Sequence, residues 1–166
     1  PEPNLDYGAR INPLRKIPAL ETDDGAILVD SRLIVAFLDE VAGGGRLVPA
    51  DGAARWRTLS AAAIAEGIMD CAVAARYERA VRPPETQWAP WAEDQLGKVD
   101  AALDWFEARA ETLEGAFDLT AATLAAALAY LDFRFAERDW RTPRPKLAAW
   151  FEGVAARPSV AETRPA

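Results

Sequence analysis

The stretch Asn12-Pro13-Leu14-Arg15-Lys16-Ile17-Pro18-Ala19-Leu20-Glu21, continued by Thr22-Asp23-Asp24-Gly25 and Ala26-Ile27-Leu28-Val29-Asp30-Ser31, decides the fold. Its Asp-Gly pair sits between two short apolar-bearing runs, 18–21 and 26–29. That arrangement predicts a β-hairpin, because Asp and Gly take the turn conformations that two antiparallel strands require. Ser31 then reads as the N-cap of a helix, since Leu33, Ile34, Phe37, Leu38 and Val41 recur at helical spacing. Gly43-Gly44-Gly45 stops that helix, and residues 43–52, with Pro49, read as an interdomain linker. Residues 1–16 are rich in Pro, Asn, Asp and Gly and read as loop. The first piece is thus an α/β unit over 1–42 with two strands. A lone hairpin is marginal in water and leaves an open edge, so this unit calls for more sheet.

Everything beyond the linker reads as helix. Trp56, Leu59, Ala63, Ile64, Ile68, Cys71 and Ala75 form a stripe on a long helix that Pro83-Pro84 breaks. Leu96, Val99, Leu103 and Phe106 mark a second helix. Thr120 opens a third, with Leu119 and Leu124 as a staple across the cap and Leu124, Leu128, Leu131 and Phe135 as its stripe. Thr123 stands where a capping box would carry a carboxylate. Pro143 and Pro145 open a fourth helix with Leu147, Trp150, Phe151 and Val154, ended by Arg157-Pro158-Ser159. The expected fold class is α+β, mainly α: a hairpin plus helix over 1–42, the linker, and an all-α domain over 53–166.

Composition narrows the function. The chain has 166 residues, 51% of them hydrophobic, with 19 Lys and Arg against 26 Asp and Glu and a net charge of −7. Such acidity argues against a nucleic-acid partner, whose phosphates are bound by Lys and Arg. No apolar run approaches the ~20 residues that span a bilayer, so no membrane partner is expected. The single cysteine, Cys71, excludes an intrachain disulfide and suits the cytoplasm. With no histidine, the chain carries neither a Ser-His-Asp nor a Cys-His mechanism, and no metal site is expected. Cys71 lies on an apolar helical stripe and reads as inert packing.

The order of these features resembles the cytosolic glutathione S-transferases. Asn12-Pro13 through Leu20 is similar to that family's Asn-Pro-x-x-Lys-(Ile/Val)-Pro-x-Leu segment, and Asp30-Ser31 to its acidic-Ser pair. Tyr130-Leu131-Asp132-x-Arg134, Trp140-Arg141, Pro145-x-Leu147-x-x-Trp150 and Arg157-Pro158-Ser159 are similar to a bacterial branch of it. The resemblance implies a thioredoxin-like domain followed by an all-α domain. It also implies a strand–helix–strand unit ahead of the hairpin, which needs ~30 residues or more, whereas 17 residues precede Pro18. In the family that unit carries the catalytic Ser, Tyr or Cys, so no catalytic residue is expected in this chain itself.

The same resemblance implies a glutathione-binding set of Lys16, Ile17, Pro18, Asp30 and Ser31. Pro18 is expected in a cis peptide bond, with the backbone of Ile17 offered to glutathione as to an added strand. Asp30 and Ser31 match the charged head of a γ-glutamyl group: the carboxylate at a helix N-terminus, the ammonium on Asp30. Lys16, Arg15 and Arg32 are candidates to offset the ligand's negative charge, and Arg15 and Arg32 read first as solvated surface. Asn12 is a further polar candidate. Trp88, Trp91, Tyr77 and Arg76 are candidates for an apolar co-substrate pocket, or for plain core and surface.

Glutathione is then the co-substrate, the partners a small electrophile and a second copy of the chain, and the reaction conjugation to an electrophile or glutathione-dependent reduction. The alternative is a non-catalytic interaction module of this fold, or an inactive fragment.

Overall fold

The computed structural model describes residues 4–115 and 117–164. It divides into two compact units, Pro1–Gly52 and Ala53–Ala166, and the fold is mainly helical with a two-stranded hairpin. In the first unit the order is α1 (Leu5–Arg10), β1 (Ala19–Glu21), β2 (Ile27–Val29) and α2 (Ser31–Val41). The strands pair antiparallel, with Ala19 opposite Val29, Leu20 opposite Leu28 and Glu21 opposite Ile27. The turn is closed by Thr22 N–H donating to Ala26 O (2.9 Å) and Gly25 N–H to Thr22 O (2.8 Å). Gly25 has φ +83°, a value that favours glycine. Helix α2 packs on both strands.

Two features of this unit depart from the sequence reading. Residues 5–10 are helix rather than loop: the Asn4 side chain caps α1 by accepting Tyr7 N–H at 2.9 Å. The N-cap of α2 is Asp30, not Ser31, because Asp30 Oδ1 accepts Arg32 N–H at 3.0 Å and Ser31 is already the first helical residue. Among the described residues of the unit, the buried ones are Asn12, Ile34, Asp39 and Val48. Asp39 ties down the chain beyond α2: its Oδ1 accepts Arg46 N–H (3.2 Å) and Leu47 N–H (2.9 Å), and its Oδ2 accepts Val48 N–H (3.3 Å).

The second unit holds α3 (Gly52–Ala80, begun on the last residue of the first unit), α4 (Ala89–Glu107), α5 (Leu119–Arg134), α6 (Pro145–Ala155) and α7 (Pro158–Ala161), with short 3-10 turns at Pro84–Thr86 and Ala110–Leu113. Its core gathers Ile68, Leu96, Leu103, Phe106, Leu124, Leu128 and Leu147, all essentially without solvent contact. The α4 and α5 stripes are buried as the spacing predicts. That of α3 is shifted: Ala62, Ala65, Ile68, Ala72 and Ala75 face the core, while Ala63 and Trp56 are exposed. Alanine on every side of α3 leaves periodicity little to discriminate. For the same reason α3 is long and apolar enough, by length and composition, to cross a bilayer. That corrects the expectation that no run approaches such a length; its inner face is packed in the helical core.

The cap of α5 is a further correction. Asp118, not Thr120, is the N-cap, and its Oδ1 accepts Ala121 N–H at 2.9 Å. Thr120 is helical, and its hydroxyl donates to Thr58 O at 3.0 Å, so the Thr120–Thr123 capping box and the Leu119–Leu124 staple do not form. In the last turn of α5, Asp132 accepts Trp140 Nε1–H (2.8 Å) and both Arg141 terminal nitrogens (2.6 Å each). Buried Arg144 donates from Nε to Asp104 (2.7 Å) and from Nη2 to Asp100 O (3.1 Å). These ion pairs hold the 135–144 segment against the bundle. Planar guanidinium forks suit that task, since they fix two directions at once.

Candidate glutathione site

The first unit brings the sequence-selected residues onto one short hairpin and the helix that follows. The Ile17–Pro18 peptide bond is cis, as the resemblance implies. Ile17 is 84% exposed. Among the described residues, its backbone N–H and C=O have no hydrogen-bond partner, because it precedes the first paired residue, Ala19. An unpaired N–H and C=O on an exposed turn at a sheet end is what an extended peptide needs to add itself as a strand. The loop before it is ordered from within. Arg15 N–H donates to Asn12 O (2.8 Å), Leu14 N–H to Asn12 Oδ1 (3.0 Å), and Arg15 takes φ +56°.

Lys16 contributes through its carbonyl. That oxygen accepts Asn12 Nδ2 at 2.8 Å and the Tyr7 hydroxyl at 2.9 Å. The Tyr7 bond is a contact that sequence reading missed, since 1–16 read as loop. The local signal for α1 was Asn4 followed by Asp6 in the first turn, a capping pattern. Tyr7, Ile11, Ile17, Pro18 and Ile27 line a cavity of about 410 Å³ beside the turn.

Asp30 and Ser31 stand at the N-terminus of α2, both exposed. Asp30, at φ +77°, uses Oδ1 to cap the helix. The Ser31 hydroxyl has no protein partner among the described residues. The first-turn amides of an eleven-residue helix add partial positive charge there, which favours a bound carboxylate. Lys16, Arg15 and Arg32 are exposed.

The candidates in the helical unit are placed separately. Tyr77, Val81 and Trp91 line a cavity of about 470 Å³ with Glu78 and Arg82. Arg76 does not line it, and Trp88 is fixed by its own N–H, which donates to Glu78 Oε1 at 2.7 Å. A larger cavity, about 650 Å³, lies between the start of α3 and the end of α4, with Trp56, Ser60, Trp105, Arg109 and Leu113 on its walls. Cys71 is half-buried, and burial raises its thiol pKa, which suits packing rather than nucleophilic use. Among the described residues no three His, Cys, Asp or Glu side chains are grouped so as to hold a metal ion.

Comparison with known proteins shows which family the chain resembles. The family model described as "Glutathione S-transferase, N-terminal domain" matches residues 2–41, and "Glutathione S-transferase, C-terminal domain" matches residues 89–153. The Escherichia coli (strain K12) protein "Uncharacterized GST-like protein YibF" is 32% identical over 170 residues, covering 98% of this chain and 82% of that relative. The crystal structure of a glutathione transferase family member from Pseudomonas fluorescens Pf-5, with bound glutathione, is 46% identical with a TM-score of 0.95, covering 99% of this chain and 80% of that one. A glutathione S-transferase from Methylobacillus flagellatus, also with glutathione bound, is 34% identical with a TM-score of 0.88, covering 96% and 81%.

Proposed function

This chain belongs to the glutathione S-transferase family, and we propose that it binds glutathione on the hairpin unit and works in glutathione-dependent transfer to a small electrophile. The observation that carries the reading is the unpaired backbone of Ile17, held in one compact unit with the free Ser31 hydroxyl at a helix N-terminus. The cysteinyl part of glutathione pairs with Ile17 N–H and C=O as an added strand. Its γ-glutamyl carboxylate takes the Ser31 hydroxyl and the α2 amides, and its ammonium takes the second oxygen of Asp30. Lys16 offsets the remaining negative charge. The glutathione bound in the Pseudomonas fluorescens and Methylobacillus flagellatus relatives supports this assignment.

The chemistry proposed is that of a thiolate placed near an apolar electrophile. No described side chain is assigned the thiol-activating role. Conjugation forms a thioether with loss of the electrophile's leaving group, whereas reduction would consume two glutathiones per turnover. The exposed Leu33, Leu38 and Val41 of α2 and Trp56 of α3 support a homodimer, and a cytoplasmic setting fits the single free cysteine.

Calorimetric titration of the protein with reduced glutathione tests the site. Binding is expected, and Ser31→Ala should weaken it about tenfold, the loss of a hydrogen bond to a charged group. If the wild-type protein shows no binding at millimolar glutathione, the reading fails. Thioether formation with an activated aryl chloride then separates a transferase from a binding module.

A further inference from the structure

We propose that Tyr7, with Asn12, is a positioning residue that aims the Ile17 amide at the ligand, an inference that rests on the glutathione reading above. The peptide unit joining Lys16 and Ile17 is planar, so the direction of its C=O fixes the direction of its N–H on the opposite side. Two donors from separate places converge on that one oxygen, the Tyr7 hydroxyl at 2.9 Å and Asn12 Nδ2 at 2.8 Å. The carbonyl is thereby saturated, and the N–H of the same plane is left without a protein partner among the described residues. Rotating the plane to waste that N–H would break both bonds.

The donors are themselves braced. Asn12 is buried, and its own N–H donates to Tyr7 O at 3.1 Å, so the two donors are linked through the backbone. One residue further along α1, Gly8 lets the Arg15 stem pass: a Cβ there would come within 2.8 Å of Arg15 Cγ. Helix α1 thus grips the loop at two successive residues, by a hydroxyl at Tyr7 and by close approach at Gly8. Tyr7 also lines the cavity beside Ile17 and Pro18, so its ring stands against the surface on which the ligand backbone would lie. This is a task for a residue that need not touch glutathione. It acts through the peptide plane that does.

The test is Tyr7→Phe, which removes one oxygen from a partly exposed ring and leaves the core untouched. Glutathione affinity by calorimetry is expected to fall about threefold to tenfold, the loss of one neutral hydrogen bond. The melting temperature should fall by no more than about 4 °C, the cost of one exposed hydrogen bond. The Ile17 amide cross-peak should shift in the ligand-free spectrum, and it is the fall in glutathione affinity accompanying that shift that a merely structural role for Tyr7 would not produce. Gly8→Ala, which displaces Arg15, should move the same cross-peak while keeping the hydroxyl. A wild-type protein that binds glutathione and a Tyr7→Phe protein that binds it equally well, whether or not the Ile17 amide moves, would overturn the inference and leave the glutathione site standing. A wild-type protein that does not bind glutathione removes the site itself, and the inference with it.

Discussion

The two units are held together by different forces. In the helical unit, large side chains such as Phe106, Leu124, Leu128 and Leu147 are sealed from water, and buried charge is matched by fixed partners, as Arg144 is by Asp104. In the hairpin unit the buried set is Ile34 and Val48 with two polar residues, Asn12 and Asp39, each of which spends its side chain on loop backbone. Apolar burial stabilises in proportion to area, while a hydrogen bond fixes direction at a smaller net gain. The candidate site therefore lies where the fold is directed rather than thickly packed. Ligand-binding segments are commonly drawn from the low-stability end of a protein, and the proposed site would follow that pattern.

The largest break in the comparison should come from the helical core. Leu128→Ala on α5 removes a fully buried side chain and is expected to destabilise by about 2 to 5 kcal/mol, the cost of lost transfer energy plus a cavity. Chemical denaturation followed by circular dichroism at the helix band measures it. A loss under about 1 kcal/mol would mean that this core is not the chief support of the unit.

Next in size is the α5 cap. Asp118→Ala should cost about 1 kcal/mol, whereas Thr120→Val, which keeps the cap but drops the hydroxyl bonded to Thr58 O, should cost less. The reverse order would restore Thr120 as the cap.

That pair of substitutions bears on what the sequence could say. The hairpin was legible because an Asp-Gly turn between apolar runs has few other readings. The second helix was legible because Leu96, Val99, Leu103 and Phe106 are large enough for spacing to mean burial. The α3 face was not, since alanines on all sides carry no preference and the core chose the Ala62–Ile68–Ala75 line. Both caps went to an aspartate just before the expected Ser or Thr. Residue type alone ranks these side chains as near equals, and the choice depends on which oxygen reaches an N2 or N3 amide. For the site, Asp30 and Ser31 had side chains to read, but Ile17 offers only backbone, which no residue type announces. Family resemblance pointed to it where composition could not. The Tyr7 bond joins a six-residue helix to a loop nine positions away, and nothing short of the folded loop reveals it.

The smallest expected effect is also the most local, and it isolates the hairpin unit. Asp39 is held below the usual carboxylate range, chiefly by the Leu47 amide and further by those of Val48, Arg46 and Gly45, against the opposing effect of burial. A carboxyl whose folded pKa is depressed contributes stability above its unfolded value, about 3.9, and that contribution is lost as pH falls through the folded one. Above about pH 5 the segment should therefore stay pinned to α2. Release should come only as the pH falls through the depressed folded value, because a protonated carboxyl accepts these amides more weakly. The expected signature is a shift of the Leu47 and Val48 amide cross-peaks in that window while those of Leu124 and Leu128 hold still. Asp39→Asn keeps one acceptor oxygen and turns the other toward Val48 as an amide, so it should show the released positions already at neutral pH, with no further acid step. Were Asp39→Asn to leave the Leu47 and Val48 amides at their wild-type positions at neutral pH, the carboxylate would not be what pins this loop, and the contrast drawn between a directed unit and a packed one would lose its clearest case.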